Sequence, residues 1–348
     1  MAVNRAMAAA SARPRPLDSL TVPPRFPLAL LPTPLVPAPG LGEALRIRRL
    51  LVKRDDLTGF AAGGNKARPL EFLLAAAGRE GADTLLTGGA PSSAFCAAAA
   101  AAARRAGLAC HLVIAGDPAW PGPSLALALA WGASVSWTHD PVRASVDHAL
   151  GAAARQLTAQ GRHPYLIPRG GATALGAAGY ALAAYELAHQ LAGRGAGRAR
   201  VVTAVGSGGT MAGLVAGNIL LGRAWDLAGA SASRPAGEAS RRVRALAGEC
   251  LALLSDGPGP GGPVLAADQV TLDDVQITDV RGPGHGLPSA EGATAAEQAM
   301  RAEGLMVDPV YTAKALSLVA RSPGTATVVF WHTGGLLDTV SVAQESAR

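Results

Sequence analysis

The chain has 348 residues, of which 49% are hydrophobic and 16% charged, with a formal net charge of +6 at pH 7. At roughly 150 residues per domain this length suits about two domains with a substantial buried core. The arginines are scattered and no basic run is interleaved with aromatics, so nucleic acid is excluded as a partner, and no apolar run is long enough to span a bilayer.

From Met1 to about Thr21 the chain is rich in Ala, Arg and Pro but has no secretory apolar core, and a mobile extension is expected. Prolines between Pro23 and Pro39 forbid a long helix and predict an extended arm lying on the surface. The apolar run Leu50-Leu51-Val52, ending in charges, reads as a strand; Gly63-Gly64-Asn65-Lys66 as a tight loop; and Pro69-Leu70-Glu71-Phe72 as the first turns of a helix. The glycines let the backbone turn sharply, so Lys66 is expected at the helix start, facing inward. Strands are predicted at Asp83–Thr87, Cys110–Ala115, Ala133–Trp137 and Tyr165–Ile167. They alternate with an alanine-rich helix ending near Ala106 and with helices near Ser124–Trp131, Val142–Gln160 and Ala174–Gly193. The alternation continues with strands at Ala199–Val205 and Leu227–Ser231 and a helix starting near Met211. A Gly/Pro-dense loop at Ser255–Pro263, a strand at Val275–Ile277, a helix at Ala290–Glu303 and a last strand at Thr325–Trp331 complete the chain. Such alternation means parallel sheets with helices on both faces, and ligands of such sheets bind outside the carboxyl ends of the strands. The abundant alanine reads as compositional, and the three cysteines (Cys96, Cys110, Cys250) have neither disulfide nor metal spacing, which fits a reducing cytoplasm.

Two loops carry chemistry. Gly206-Ser207-Gly208-Gly209-Thr210 follows a strand and opens a helix, so its freed N–H groups form a cradle for a phosphate. No Gly-Lys-Ser/Thr follows, and Met211 stands where a dinucleotide fingerprint has its third glycine. An inward Lys66 plus a phosphate cradle without nucleotide signatures points to pyridoxal 5'-phosphate, whose aldehyde condenses with a lysine amine. Lys66 is then also the base at Cα, and Ser207 and Thr210 hydroxyls add bonds to the phosphate.

Lys53-Arg54-Asp55-Asp56-Leu57-Thr58-Gly59 and Gly63-Gly64-Asn65-Lys66-Ala67-Arg68 resemble the aminocyclopropane-carboxylate deaminase and D-cysteine desulfhydrase family of fold type II pyridoxal phosphate enzymes. Leu31–Leu35, Thr87–Gly89, Ile167–Gly171, Gly206–Thr210, Gly282–Gly284, Asp308–Lys314 and His332–Gly335 extend the resemblance in the family's order from about Pro24 to about Leu336. It implies an α/β fold of two open, mostly parallel twisted sheets flanked by helices. The expected division is an extension at 1–21, a large cofactor-binding domain at 22–59 plus 166–348, and a small domain at 60–165, in a cytoplasmic homodimer.

By the same resemblance Tyr311 stands by the cofactor ring to stack or to assist proton transfer. Thr333 stands near the pyridine nitrogen, with Thr312 as the alternative. A neutral hydroxyl there makes the ring a weaker electron sink, suited to elimination. Asn65 is expected behind the cofactor, and Ser92 faces the substrate as nucleophile or carboxylate binder. Two positions depart from the family pattern: Ser93 replaces the asparagine beside the cofactor's phenolic oxygen, and His285 replaces a tyrosine, bringing an imidazole that titrates near neutrality as a possible acid or base. The implied activity is a lyase or deaminase on a small amino acid, releasing ammonia and a 2-oxo acid, with altered substrate specificity. A β- or γ-replacement enzyme of secondary metabolism and an inactive binding homologue are the alternatives.

Overall fold

Apolar strand runs separated by helices can be buried only in a parallel sheet covered on both faces, and the chain builds two such sheets. The structure, a computed structural model, describes residues 14–118, 121–255, 269–322, 326–337 and 339. The first third comprises β1 (Leu35–Pro37), α1 (Pro39–Ala44), β2 (Leu50–Arg54), α2 (Ala67–Arg79), β3 (Thr84–Gly89), α3 (Ala94–Arg105) and β4 (Ala109–Ile114). Then come α4 (Pro123–Ala130), β5 (Ser134–Trp137), α5 (Arg143–Ala159), β6 (Pro164–Leu166), α6 (Ala174–Ala192), β7 (Arg200–Val205) and α7 (Gly209–Leu220). The chain closes with β8 (Asp226–Ser231), α8 (Ala236–Ser255), β9 (Gln276–Asp279), α9 (Ala290–Glu303), α10 (Thr312–Val319) and β10 (Val328–His332).

The larger sheet has the order β1-β2-β10-β7-β8-β9, parallel except where edge strand β1 runs against β2. The smaller sheet, β5-β4-β3-β6, is parallel throughout. Central β10 shows why the pattern is legible: Val328, Val329, Phe330 and Trp331 are all fully buried, as a strand covered on both faces requires. Helices α6, α7 and α8 cover one face of the larger sheet, and α1, α9 and α10 the other. On the smaller sheet α2, α3 and α4 share one core, and α5 covers the opposite face.

Several expectations are corrected. The alanines are more than composition: a Cβ on Gly213 would lie 2.2 Å from the Ala177 carbonyl oxygen and one on Gly217 2.5 Å from Ala184 Cβ, so small residues bring α6 and α7 into backbone contact. The proline-rich arm is not wholly superficial, because Thr33, Leu35 and Ala38 are buried and β1 joins the sheet. Within the expected N-terminal extension, Arg15 N–H donates to the Leu220 carbonyl and Thr21 N–H to that of Leu254, and residues 1–13 lie outside the described residues. Helix α8 falls between Ser231 and Ser255, where no element was expected. Its core stripe of Ala239, Val243, Ala247, Cys250 and Leu254 is interrupted in sequence by Arg241, Arg242 and Arg244. Helices α1 and α10 were likewise not anticipated, and most of the Gly/Pro loop expected at Ser255–Pro263 lies outside the described residues.

Candidate active site

The carboxyl ends of β2, β3, β6, β7, β9 and β10 converge on one cavity of about 500 Å³ between the two sheets. Of the residues singled out in the sequence, Asn65, Lys66, Ser92, Ser93, Gly206, Ser207, Gly208, Thr210, His285, Tyr311 and Thr333 all line it. Gly209 does not; it packs behind the wall, where a Cβ would sit 3.4 Å from Ala172 Cα.

Lys66 precedes the first turn of α2, whose residues Ala67 to Leu74 are buried. Gly64, at φ +95°, lets the loop pass over the end of β10, and a Cβ on Gly334 would come within 2.6 Å of Gly64 Cα. Asn65 ties the loop to two others: its N–H donates to the Thr333 carbonyl at 2.9 Å, and its Nδ2 donates to Thr210 Oγ1 at 2.9 Å. Below, Arg68 of the same helix donates from Nε and Nη2 to the Asp55 carboxylate at 2.9 and 2.8 Å and from Nη1 to Glu186 at 3.0 Å. Asp55, fully buried, also accepts from Tyr180 at 2.6 Å and Thr33 at 2.7 Å. Burial pushes its carboxyl up, but Arg68 and Tyr180 outweigh that and hold it at about 2. The amine of Lys66 keeps an opening to the cavity although it lies deep, and burial lowers it to about 8 against an upward pull from Asp308. Lys66 is one of three lysines in the sequence. Lys53 is bound to Glu186, Gln190 and the Thr33 carbonyl, Lys314 to the carbonyls of Arg281 and Gly284, and neither lines the cavity.

The Gly206–Thr210 loop is prepared for an anion. The Gly206 carbonyl accepts from Ser233 and Arg234, both at 3.0 Å, and the Ser207 carbonyl from Arg242 at 2.7 Å. Carbonyl oxygens that would repel a phosphate are thus occupied by side chains, while α7 starts here with its free N–H groups and positive dipole end. Gly208 caps α7 at φ +101°, and a Cβ there would meet Val243 Cγ2 of α8 at 3.3 Å. The obstacle to a larger residue is therefore the backbone and α8, not crowding of the phosphate itself. Gly208→Val is expected to weaken cofactor retention at least about tenfold, since left-handed geometry costs a branched residue ~1–2 kcal/mol or more. Equilibrium dialysis against pyridoxal phosphate measures this, and unchanged affinity would count against the cradle.

Opposite this wall Tyr311 packs on the cradle, with its Cε1 3.1 Å from where a Gly206 Cβ would be, and its hydroxyl is 3.0 Å from His285 Nε2. His285 does not titrate near neutrality as the sequence suggested. Burial, then the charges of Arg143, Lys314, Arg234 and Arg169, bring it down to about 4, so at pH 7 it is neutral and its Nε2 can accept the tyrosine proton. Ser93 caps α3, its Oγ accepting from the Cys96 N–H at 3.3 Å while its own O–H stays a donor. Ser92 lies exposed at the mouth. Thr312 is fully buried, hydrogen-bonded to Asp308 and outside the cavity lining, so of the two threonines only Thr333 faces the cavity.

Three charged lining residues, Asp308, Arg169 and Arg143, received no role from the sequence. Asp308 accepts from the N–H groups of Val310, Tyr311 and Thr312 at 3.0, 2.7 and 2.9 Å, and so shapes the turn that presents Tyr311. Its Asp-Pro pair at a helix entry was a usable signal. Arg169 pairs with Asp147, and Arg143 opens α5; nothing in their local sequence distinguishes them from surface arginines.

Comparison with known proteins agrees with this geometry. Residues 27–334 match the model of a family described as pyridoxal-phosphate dependent enzyme. The D-cysteine desulfhydrase of Salmonella paratyphi C (strain RKS4594) is 38% identical over 340 residues, covering 92% of this chain and 96% of its own. That of Klebsiella pneumoniae (strain 342) is 37% identical over 330 residues, with the same coverage. Among solved structures, an ACC deaminase homologue superposes with a TM-score of 0.83 at 29% identity, covering 96% of this chain and 98% of that one. The threonine deaminase of T.th. gives 0.63 at 25%, covering 87% and 92%.

Proposed function

The chain belongs to the pyridoxal-phosphate dependent enzyme family, and on that footing we propose that it is a lyase that converts a small amino acid to ammonia and a 2-oxo acid by α,β-elimination or ring opening. The observation that carries the reading is the convergence on one cavity of a lysine lowered to about 8 and a phosphate cradle, joined through the Asn65–Thr210 hydrogen bond of 2.9 Å. The residues present fit pyridoxal phosphate: Lys66 would hold its aldehyde end, Gly206 to Thr210 its phosphate and Thr333 its ring nitrogen. When bound, the cofactor supplies an electron sink for the pair left at Cα.

The remaining steps fall to the chain itself. The Lys66 amine takes the Cα proton, for which a pKa near working pH is favourable. The N–H groups at the start of α3, with Ser92, bind the substrate carboxylate. Tyr311, its proton shared with neutral His285, protonates the leaving group. D-cysteine, named for the relatives, and aminocyclopropane carboxylate, named for the family that the sequence resembles, are expected to serve poorly here, because Ser93 is shorter than asparagine and His285 has no phenol. Ser93→Asn with His285→Tyr should recover part of either activity, measured as 2-oxo acid release, and asparagine can still cap α3. Because both side chains line one cavity, a double-mutant cycle is the proper reading. Efficient turnover of either compound by the unmodified enzyme would remove the case for altered specificity.

A homodimer in the cytoplasm completes the proposal. The compartment is supported by the three cysteines, all free and buried. Light scattering on the purified protein decides the assembly. No helix among the described residues is long and apolar enough to cross a membrane.

A further inference from the structure

Arg143 lines the cavity from the side of the smaller sheet, and its guanidinium has no hydrogen bond or ion pair with any described residue. The neighbouring cations are engaged. Arg169 is held by Asp147 at 2.6 and 2.5 Å, Arg234 by Glu238 and the Gly206 carbonyl, Arg242 by the Ser207 carbonyl, and Lys314 by the carbonyls of Arg281 and Gly284. Asp308, the acid that lines the cavity, is saturated by three backbone N–H groups and the Thr312 hydroxyl. A half-buried guanidinium facing a wall without an available acid has lost hydration; the charge of Asp147 acts on it from α5, but that carboxylate is already bound by Arg169, and a ligand's acid group is the natural complement.

Its position separates this charge from the cofactor's phosphate. Arg234 and Arg242 grip the cradle from behind, and Gly170, next to Arg169, abuts Ser207, a Cβ there lying 2.9 Å from its side chain. Arg143 instead faces the His285–Tyr311 pair: after burial, its charge is the largest cause keeping His285 low, and it acts on Tyr311 as well. The substrate's own α-carboxylate has the start of α3 and Ser92 to bind to.

We infer that Arg143 recognises a second acid group, a carboxylate, sulfonate or phosphate on the substrate's side chain, so that the cavity selects acidic over neutral small amino acids. The inference rests on the amino-acid lyase reading and names its substrate class. For a substrate with a leaving group X on Cβ, the Cα–H and Cβ–X bonds break and X departs with the bonding pair. Addition of water then yields a 2-oxo acid, ammonia and HX, with no external oxidant or reductant.

The test titrates the holoenzyme with both enantiomers of serine and cysteine as neutral probes, and of O-phosphoserine, cysteate and aspartate as acidic ones. Cofactor absorbance gives Kd, and 2-oxo acid release gives kcat/KM; aspartate, lacking a leaving group, reports binding alone. At least one acidic probe is expected to bind about tenfold or more tightly than its neutral counterpart. Arg143→Met should weaken that probe by about a hundredfold and the neutral ones much less, with Arg143→Lys recovering part. Which acidic probe responds distinguishes carboxylate, sulfonate and phosphate. Equal binding of both series by the unmodified enzyme, or an equal loss of both in Arg143→Met, overturns the inference and leaves the lyase reading standing. No response to any amino acid overturns the lyase reading and the inference with it.

Discussion

Lys66→Ala is expected to abolish the absorbance band of the lysine–cofactor link and to lower turnover by about 10⁴-fold or more, because it removes at once the covalent anchor and the Cα base. The size of the effect follows from the lack of a substitute: Lys53 and Lys314 are themselves buried and hydrogen-bonded outside the cavity lining. Borohydride reduction followed by peptide mapping is the measurement, and a variant that still forms a reducible link would show the assignment to be wrong. The same amine gives a pH dependence. Burial lowers Lys66 to about 8, and the neutral amine is the form that attacks the aldehyde, so capture of cofactor by the apoenzyme should rise with pH and level off above about 8. An ordinary lysine would keep gaining rate to about 10.4.

The second large effect is on stability. Asp55→Ala leaves Arg68 in the interior with only Glu186 for charge balance, and breaking a buried pair in this way costs about 3–5 kcal/mol. The melting temperature should fall on the order of 10 °C. Because Arg68 lies two residues beyond Lys66 on α2, cofactor retention should fall too, whereas Asp55→Asn keeps an acceptor and should lose less. The folded carboxyl sits at about 2 against 3.8 in its ordinary state, so its contribution, about 2.5 kcal/mol, is fully present above about pH 4. It is lost as pH falls from there through about 2, and Asp55→Asn should flatten that part of the stability profile. Denaturant midpoints between pH 2 and 6 provide the check, and an Asp55→Ala protein as stable as the parent would mean that Arg68 finds another partner.

Two kinds of information about this protein separate along these lines. The parallel sheets, the lysine loop and the glycine loop that opens α7 were legible in the chain because each depends on local sequence. β10 must be apolar throughout to be buried on both faces, and the turns at Gly64 and Gly208 need residues that tolerate positive φ. Helix α8 was missed for a local reason too, its buried stripe being diluted by three exposed arginines. What only the tertiary structure decided are properties that arise between distant segments. Asn65 meets Thr210 across 145 positions, His285 reaches Tyr311 across 26, and Arg143, at the start of α5 on the smaller sheet, lines the same cavity. Their chemistry follows from burial and neighbouring charge: an imidazole lowered to about 4 rather than one titrating near neutrality, and an arginine with no hydrogen bond to any described residue. A side chain's identity is written at its own position, but its solvation and its electrostatic neighbours exist only once the two sheets have closed on one cavity.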